Sequence, residues 1–147
     1  MEKLTIEHLS PYFPYNLRMW DVENERQYIP ELIGIVDSEK IRVTLPRFPG
    51  VTLFEINALK PILRPIQEVE QYFENLYGYL EHQDVTDYFD VDFLKSHDNI
   101  EIDEIQFLKV EELPFGTLKV LLKHHFDVFG LIEKGLAIPV TNELNPY

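Results

Sequence analysis

The chain has no cysteine, and only 6 of its 147 residues are glycine. Without cysteine it can form no disulfide, no thiolate metal site and no thiol nucleophile. The glycines do not occur at the spacing of a phosphate-binding loop, and none of the three serines lies in a G-x-S-x-G elbow. The sequence therefore lacks the motifs of the common hydrolases and nucleotide-binding enzymes.

Long apolar runs are also missing. No stretch approaches the roughly 18 consecutive apolar residues that a membrane-spanning helix needs. The N-terminal segment carries Glu2 and Glu7 where a signal peptide would have a basic and then an apolar part. We therefore expect a cytoplasmic protein that does not associate with membranes.

Basic residues are few: 13 lysines and arginines stand against 26 acidic residues, and the net charge is −13. The excess is local, because residues 67–112 hold 14 acidic and 2 basic residues, a net charge of −12, whereas residues 1–66 carry −1 and residues 113–147 carry 0. Such a field repels phosphate backbones, so no direct nucleic-acid binding is expected. We interpret the acidic segment 67–112 as a solvated face, with a docking patch for a basic partner or a mimic of nucleic acid as alternatives.

The N-terminal part of the chain indicates β structure. Residues 4–9 fit a short helical turn that a proline stops. Residues 41–45 alternate apolar and polar side chains, which is the pattern of a half-buried strand. We predict a small antiparallel β-meander of three or four strands over about residues 17–56. The proline-bounded residues 57–65 are predicted to be a connector.

Two apolar stripes predict helices. Apolar residues recur at helical spacing after Pro65, which predicts a helix over about residues 65–80. A second stripe predicts a helix over about residues 117–134, with a break near Asp127 and Gly135 as a left-handed cap.

Weaker patterns complete the prediction. Residues 84–95 are expected to form a further helix, and residues 99–109 a short hairpin. Two to four helices packed on the meander give an α+β fold, and residues 1–147 are expected to form a single domain.

His124, His125 and Asp127 are the first candidates for metal binding or acid–base chemistry. Adjacent histidines on a helix point about 100° apart, whereas a helical zinc site needs histidines at i and i+4. On the predicted helix His125 lies beside the apolar stripe and His124 faces outward. We favour structural roles for both, and we predict no catalytic, cofactor-binding or metal-binding residue.

The acidic residues of segment 67–112 also do not form a calcium loop. An EF-hand needs a glycine at its sharp turn, and no glycine occurs between Gly78 and Gly116. No cofactor is predicted.

Aromatic residues are abundant, with 8 tyrosines, 10 phenylalanines and 1 tryptophan. Most of them must pack in the core, but any that are exposed would mark a partner surface, because aromatic residues concentrate at protein interfaces. This composition favours binding to another protein over catalysis.

Three segments resemble a group of uncharacterised proteins encoded by Bacteroidetes phages and prophages. They are LTIEHLSPYFPYNLRM, EINALKPILRPI and HHFDVFGLIEKGLAI, and they match the landmarks PY-x-PY-x-L, KPILRPL and H-x-DVFGLI-x-x-GLAI of that group. The resemblance covers about the first 20 residues, the connector and the C-terminal third. It implies a phage or mobile-element context in a bacterial host and assigns no chemistry to any residue.

Three hypotheses about function follow. The first is a non-enzymatic accessory protein, encoded by a phage or prophage, that binds another protein and is compatible with a homo-oligomer. The second is an acidic nucleic-acid mimic that blocks a basic groove. The third is a small metal-dependent hydrolase built around His124, His125 and Asp127.

Overall fold

A computed structural model describes residues 2–37, 40–45, 48–80 and 101–147. It confirms an α+β fold in which helices pack on a mixed six-stranded sheet. The strands are β1 Met19–Asp21, β2 Arg26–Asp37, β3 Lys40–Leu45, β4 Phe48–Glu55, β5 Leu59–Leu63 and β6 Ile138–Pro139. The α-helices of the described residues are α1 Ile6–Leu9, α2 Val69–Leu80 and α3 Phe115–Lys123. Short 3₁₀ helices span Ser10–Tyr15, Ile56–Ala58, Ile66–Glu68, Ile102–Phe107 and Val110–Glu112.

The predicted meander is confirmed. Strands β1 to β4 are consecutive neighbours in the sheet and pair antiparallel throughout. The full strand order is β4-β3-β2-β1-β5-β6, so β1 lies inside the sheet with a neighbour on each side.

The prediction of a connector over residues 57–65 is wrong, because β5 occupies most of it and pairs antiparallel with β1. Pro61 and Pro65 make a strand unfavourable in this segment when the sequence alone is considered. The amide of Ile62 donates to the carbonyl of Arg18 at 2.9 Å, which makes Met19 and Pro61 a pair that shares no ladder hydrogen bond. Pro61 therefore sits where its missing N–H takes no bond from the β1–β5 ladder.

The helix predicted over residues 65–80 is confirmed, as a 3₁₀ turn at Ile66–Glu68 that continues into α2. The helix predicted over residues 84–95 lies outside the described residues. No described helix is long and apolar enough to cross a membrane.

The helix predicted over residues 117–134 is shorter than expected, because α3 begins at Phe115 and ends at Lys123. The amide of Phe126 bonds to the carbonyl of Leu121, and the amide of His125 to that of Leu122, both at 3.0 Å. This paired pattern is a Schellman motif, which closes a helix with a left-handed residue.

Residues 124–137 consequently form turns rather than a second helix. The role predicted for Gly135 is nevertheless confirmed. Its φ is +70°, and a second Schellman pattern joins Leu136 to Leu131 and Gly135 to Ile132.

The hairpin predicted over residues 99–109 is wrong in the residues described, which form 3₁₀ helices instead. Ile102 and Ile105 both pack on the core beside α2. Their separation of three residues suits a 3₁₀ helix, in which residues i and i+3 lie one above the other.

The core has two hydrophobic clusters. One is formed by the N-terminal segment, the sheet and the C-terminal turns, and includes Leu9, Tyr12, Leu17, Met19, Ile56, Leu59, Leu63 and Leu131. The other lies among α2, α3 and the 3₁₀ helices, and includes Val69, Phe73, Ile105, Val120, Leu121 and Phe126. Val128 packs against both clusters.

Candidate functional site

His125 is held in an unusual backbone conformation at the end of α3. Its φ is +61°, and it occupies the position of the Schellman motif that is most often glycine. Left-handed conformations are uncommon for residues other than glycine, although histidine is among the more tolerant. Contacts of the side chain must therefore favour histidine here.

Those contacts surround the imidazole ring. Its Nε2–H donates a hydrogen bond to the carbonyl of Tyr15, and the ring stacks on Tyr147 with centroids 3.7 Å apart and planes 10° apart. The pKa of His125 is lowered from 6.5 to about 4, mainly by burial and also by the charges of Arg64, His124 and Arg18, while the bond to the Tyr15 carbonyl opposes this shift. The ring is therefore neutral at pH 7.

Arg64 ties the end of α3 to the end of β5. Its amide donates to the carbonyl of His125 at 2.7 Å, and its carbonyl accepts from the amide of Asp127 at 2.9 Å. Its Nε donates to the carbonyl of His124 at 3.2 Å. The guanidinium carbon lies 4.6 Å from the ring centre of Tyr72 and 5.7 Å from that of Tyr147, at cation–π distances.

His124 completes this group on the other side. It is half-buried rather than facing outward, because its ring packs edge-on against Tyr72 and Phe73 and its Nδ1 lies 2.8 Å from the Tyr72 hydroxyl. We call the set Arg64, Tyr72, His124, His125 and Tyr147 the aromatic–arginine cluster.

Tyr147 connects the cluster to the sheet. Its hydroxyl donates to the carbonyl of Ile62 at 2.7 Å and accepts from the amide of Arg18 at 3.1 Å. It thus bridges β5 to the residue preceding β1. Burial raises the pKa of the Tyr147 hydroxyl, so the phenol stays neutral and can donate.

Asp127 accepts hydrogen bonds from the turn that follows it. Its two carboxylate oxygens accept the amides of Leu131 and Ile132, each at 2.8 Å, and the residue is buried. The carboxylate thus satisfies two backbone donors at the start of the turn that begins at Leu131, although it lies two residues farther away than an ordinary N-cap. Burial raises the pKa of Asp127; the two amide bonds oppose that rise, and the nearby Glu133 adds to it.

The three predicted candidates therefore have structural contacts. His124 and His125 both belong to the aromatic–arginine cluster, whereas Asp127 bonds to backbone amides beyond it. Within the described residues no three His, Asp or Glu side chains are placed to hold one metal ion. A hydrolase centred on these residues stays a prediction; the ring of His125 is buried and stacked on Tyr147.

A separate pocket lies between the start of α2 and the turns after α3. Its volume is about 440 Å³, within the range of small-ligand sites. Its lining includes six aliphatic residues: Ile66, Ile105, Leu108, Leu113, Val128 and Ile132. The polar lining residues are Gln67, Gln106, Asp127 and Glu133.

Two exposed phenylalanines belong to the same part of the chain. Phe107 is 79% exposed and Phe115 is 81% exposed. Phe107 stands between two lining residues of the pocket, Gln106 and Leu108, and Phe115 follows the lining residue Leu113 by two positions. Among the residues whose side chains are described, the next most exposed large hydrophobic residue is Val22, at 50%.

Carboxylates surround these phenylalanines along the chain. Between positions 101 and 112 the described acidic residues are all exposed: Glu101, Asp103, Glu104, Glu111 and Glu112. Lys109 is the basic residue of this segment. These carboxylates of the acidic segment 67–112 are thus individually exposed to solvent, while six of its acidic positions lie outside the described residues.

Sequence reasoning missed the pocket, Arg64 and Tyr147. The three segments that carry the phage-protein resemblance meet at the aromatic–arginine cluster, through Tyr15, Arg64 and His125. The proline and aromatic residues of these segments could have indicated that the segments lie close together. They could not indicate which side chains are in contact.

Comparison of the chain with known protein families, with curated proteins and with solved structures finds no match.

Proposed function

We propose that this chain is a non-enzymatic protein that binds another protein through Phe107, Phe115 and the pocket that their neighbours along the chain help to line. We call these three features the docking surface. The observation that carries the proposal is the exposure of both phenyl rings, at 79% and 81%.

Exposing two phenylalanines has a cost that a partner can remove. Full burial of one such ring is favourable by about 1.5–3 kcal/mol. The two rings together therefore offer several kcal/mol to an association that covers them. Aromatic side chains are also the residues that most often dominate binding energy at protein interfaces.

The charge of the surface defines the chemistry of the partner. Five exposed carboxylates lie within residues 101–112, and Glu133 adds another at the pocket. A complementary partner carries apolar side chains that cover the rings and basic side chains that meet the carboxylates. We therefore assign the docking surface to a basic, amphipathic segment of another protein.

The first experiment measures this preference directly. A fluorescent synthetic peptide with leucine and lysine at helical spacing is titrated with the protein, and binding is followed by anisotropy. Replacing Phe107 and Phe115 together with alanine should weaken binding by at least about tenfold. Val22→Ala is the matched control, because it shortens an exposed hydrophobic side chain in the β1–β2 turn.

Two control peptides separate apolar from charge recognition. One keeps the lysines and replaces leucine with serine, and the other keeps the leucines and replaces lysine with glutamate. Both should bind more weakly than the parent peptide. Equal binding of the wild type and the F107A/F115A variant would contradict the proposal.

A nucleic-acid mimic would give a different result. It would bind a basic groove through carboxylates alone, so the F107A/F115A variant would bind as well as the wild type. Neutralising Glu101, Asp103 and Glu104 to their amides would then abolish binding. The double phenylalanine variant therefore distinguishes the two functions.

The biological setting is part of the proposal. The resemblance of three segments to phage and prophage proteins supports an accessory role in the cytoplasm of an infected bacterium. Once a partner has been captured from such cells, its loss from the F107A/F115A variant and its retention by Val22→Ala would assign it to the docking surface.

A further inference from the structure

We infer that the pocket binds the alkylammonium or alkylguanidinium end of a lysine or arginine side chain supplied by the partner. This inference rests on the proposed function and names one specificity-determining contact within it. It follows from the combination of six aliphatic residues and two carboxylates among the lining residues of one pocket.

The walls suit the stem of a long basic side chain. Lysine and arginine carry three or four methylene groups that bury readily against apolar surface while the charged end reaches a polar group. Six aliphatic residues form that apolar surface, and a volume of about 440 Å³ accommodates such a stem.

The carboxylates suit the charged end. Asp127 is 5% exposed and lies within the wall, whereas Glu133 is exposed and also lines the pocket. The two are close enough for Glu133 to raise the pKa of Asp127, so their negative charges repel each other. A cation bound near both carboxylates would favour their charged forms.

No basic residue is among the described lining residues. Lys134, the neighbour of Glu133 along the chain, has its Nζ 3.1 Å from Glu2 Oε1, and its charge lowers the pKa of Asp127 against the effect of Glu133. The described lining itself thus carries negative charge and no positive charge, which favours a cationic ligand.

The test uses n-butylammonium chloride, with n-butanol as an uncharged probe of the same chain length. The protein carries isotope-labelled isoleucine methyl groups, and chemical shifts of Ile66, Ile105 and Ile132 report occupancy of the pocket. We expect n-butylammonium to shift these signals at lower concentration than n-butanol. Glu133→Gln should weaken binding of the cation about three- to fivefold.

Glu143→Gln is the matched control, because Glu143 is an exposed carboxylate that does not line the pocket. It should leave the affinity for n-butylammonium unchanged. If n-butanol binds as tightly as n-butylammonium, or if E133Q binds the cation as tightly as the wild type, the inference is overturned.

A peptide experiment separates this inference from the proposed function. The amphipathic peptide is remade with norleucine in place of each lysine in turn, and each version is measured against the wild type and E133Q. Norleucine at one of the lysine positions should weaken binding of the peptide to the wild type. The same replacement should cause no further weakening of binding to E133Q. If no position behaves in this way while F107A/F115A still weakens binding, the pocket inference fails and the proposed function stands. If one position does so while F107A/F115A has no effect, the proposed function fails and the pocket contact stands.

Discussion

Mild acid should destabilise the fold through His125, and replacing this residue should remove that effect. The imidazole is buried against Tyr147 and its Nε2–H bonds to the carbonyl of Tyr15. Protonation would place a charge beside Arg64 in a site where the described residues offer no carboxylate. Asparagine is the replacement of choice, because it also tolerates the left-handed backbone at φ +61°.

The size of the effect follows from the pKa of His125, which is 6.5 when unperturbed and about 4 in the fold. Between these values the unfolded chain binds a proton and the folded chain does not. The contribution of neutral His125 to stability is therefore complete above pH 6.5, falls as the pH drops, and is lost by about pH 4. At about 1.4 kcal/mol per unit, the loss is on the order of 3 kcal/mol.

Urea unfolding of the wild type and of His125→Asn at a series of pH values from 7.5 to about 4 measures this contribution. Asp127 acts with the opposite sign, because its raised pKa favours the folded state as the pH falls. It is present in both proteins, so the difference between them isolates His125. The difference in the free energy of unfolding should shrink by about 3 kcal/mol on acidification.

The reasoning would be refuted if the wild type and His125→Asn lost stability in parallel from pH 7 to about 4. Titration of the His125 Cε1–H signal by NMR provides an independent check. An inflection near pH 6.5 would show that the ring is not desolvated as the structure has it.

Two further predictions concern buried polar groups. Tyr147→Phe should lower the free energy of unfolding by about 1–3 kcal/mol, because it removes a hydroxyl that serves both Ile62 and Arg18 and leaves those groups unpaired. Urea denaturation measures this, and no loss would mean that water replaces the hydroxyl. Asp127→Ala should cost about 2 kcal/mol, since the amides of Leu131 and Ile132 lose their acceptors. Faster amide exchange at those two residues should accompany the loss, and unchanged exchange would contradict the capping role.

The helix at 65–80 and the meander at 17–56 were predictable because their signals are local. Apolar spacing of 3.6 or 2 residues reflects which face of one element is buried, and that information is contained in the element itself. The cap at Gly135 was predictable for the same reason, since only a residue free to adopt positive φ suits that position.

Errors arose where partners distant in sequence override local preference. The missing N–H of Pro61 predicts a connector in place of β5, and only the register against β1 shows that this donor is not needed there. Helix α3 was extended too far because the apolar pattern continues beyond it. The residue that ends it, His125, takes a left-handed conformation that is supported by Tyr15 and Tyr147.

The acidic character of segment 67–112, the absence of thiol chemistry and the surplus of aromatic residues are fixed by the sequence alone, because composition needs no coordinates. Which aromatics pack and which remain outside is decided only by the tertiary structure. Tyr12 and Phe73 are buried while Phe107 and Phe115 are exposed, although all four are large apolar side chains in short helical segments. Burial depends on what lies opposite a side chain, and that surface comes from other parts of the chain.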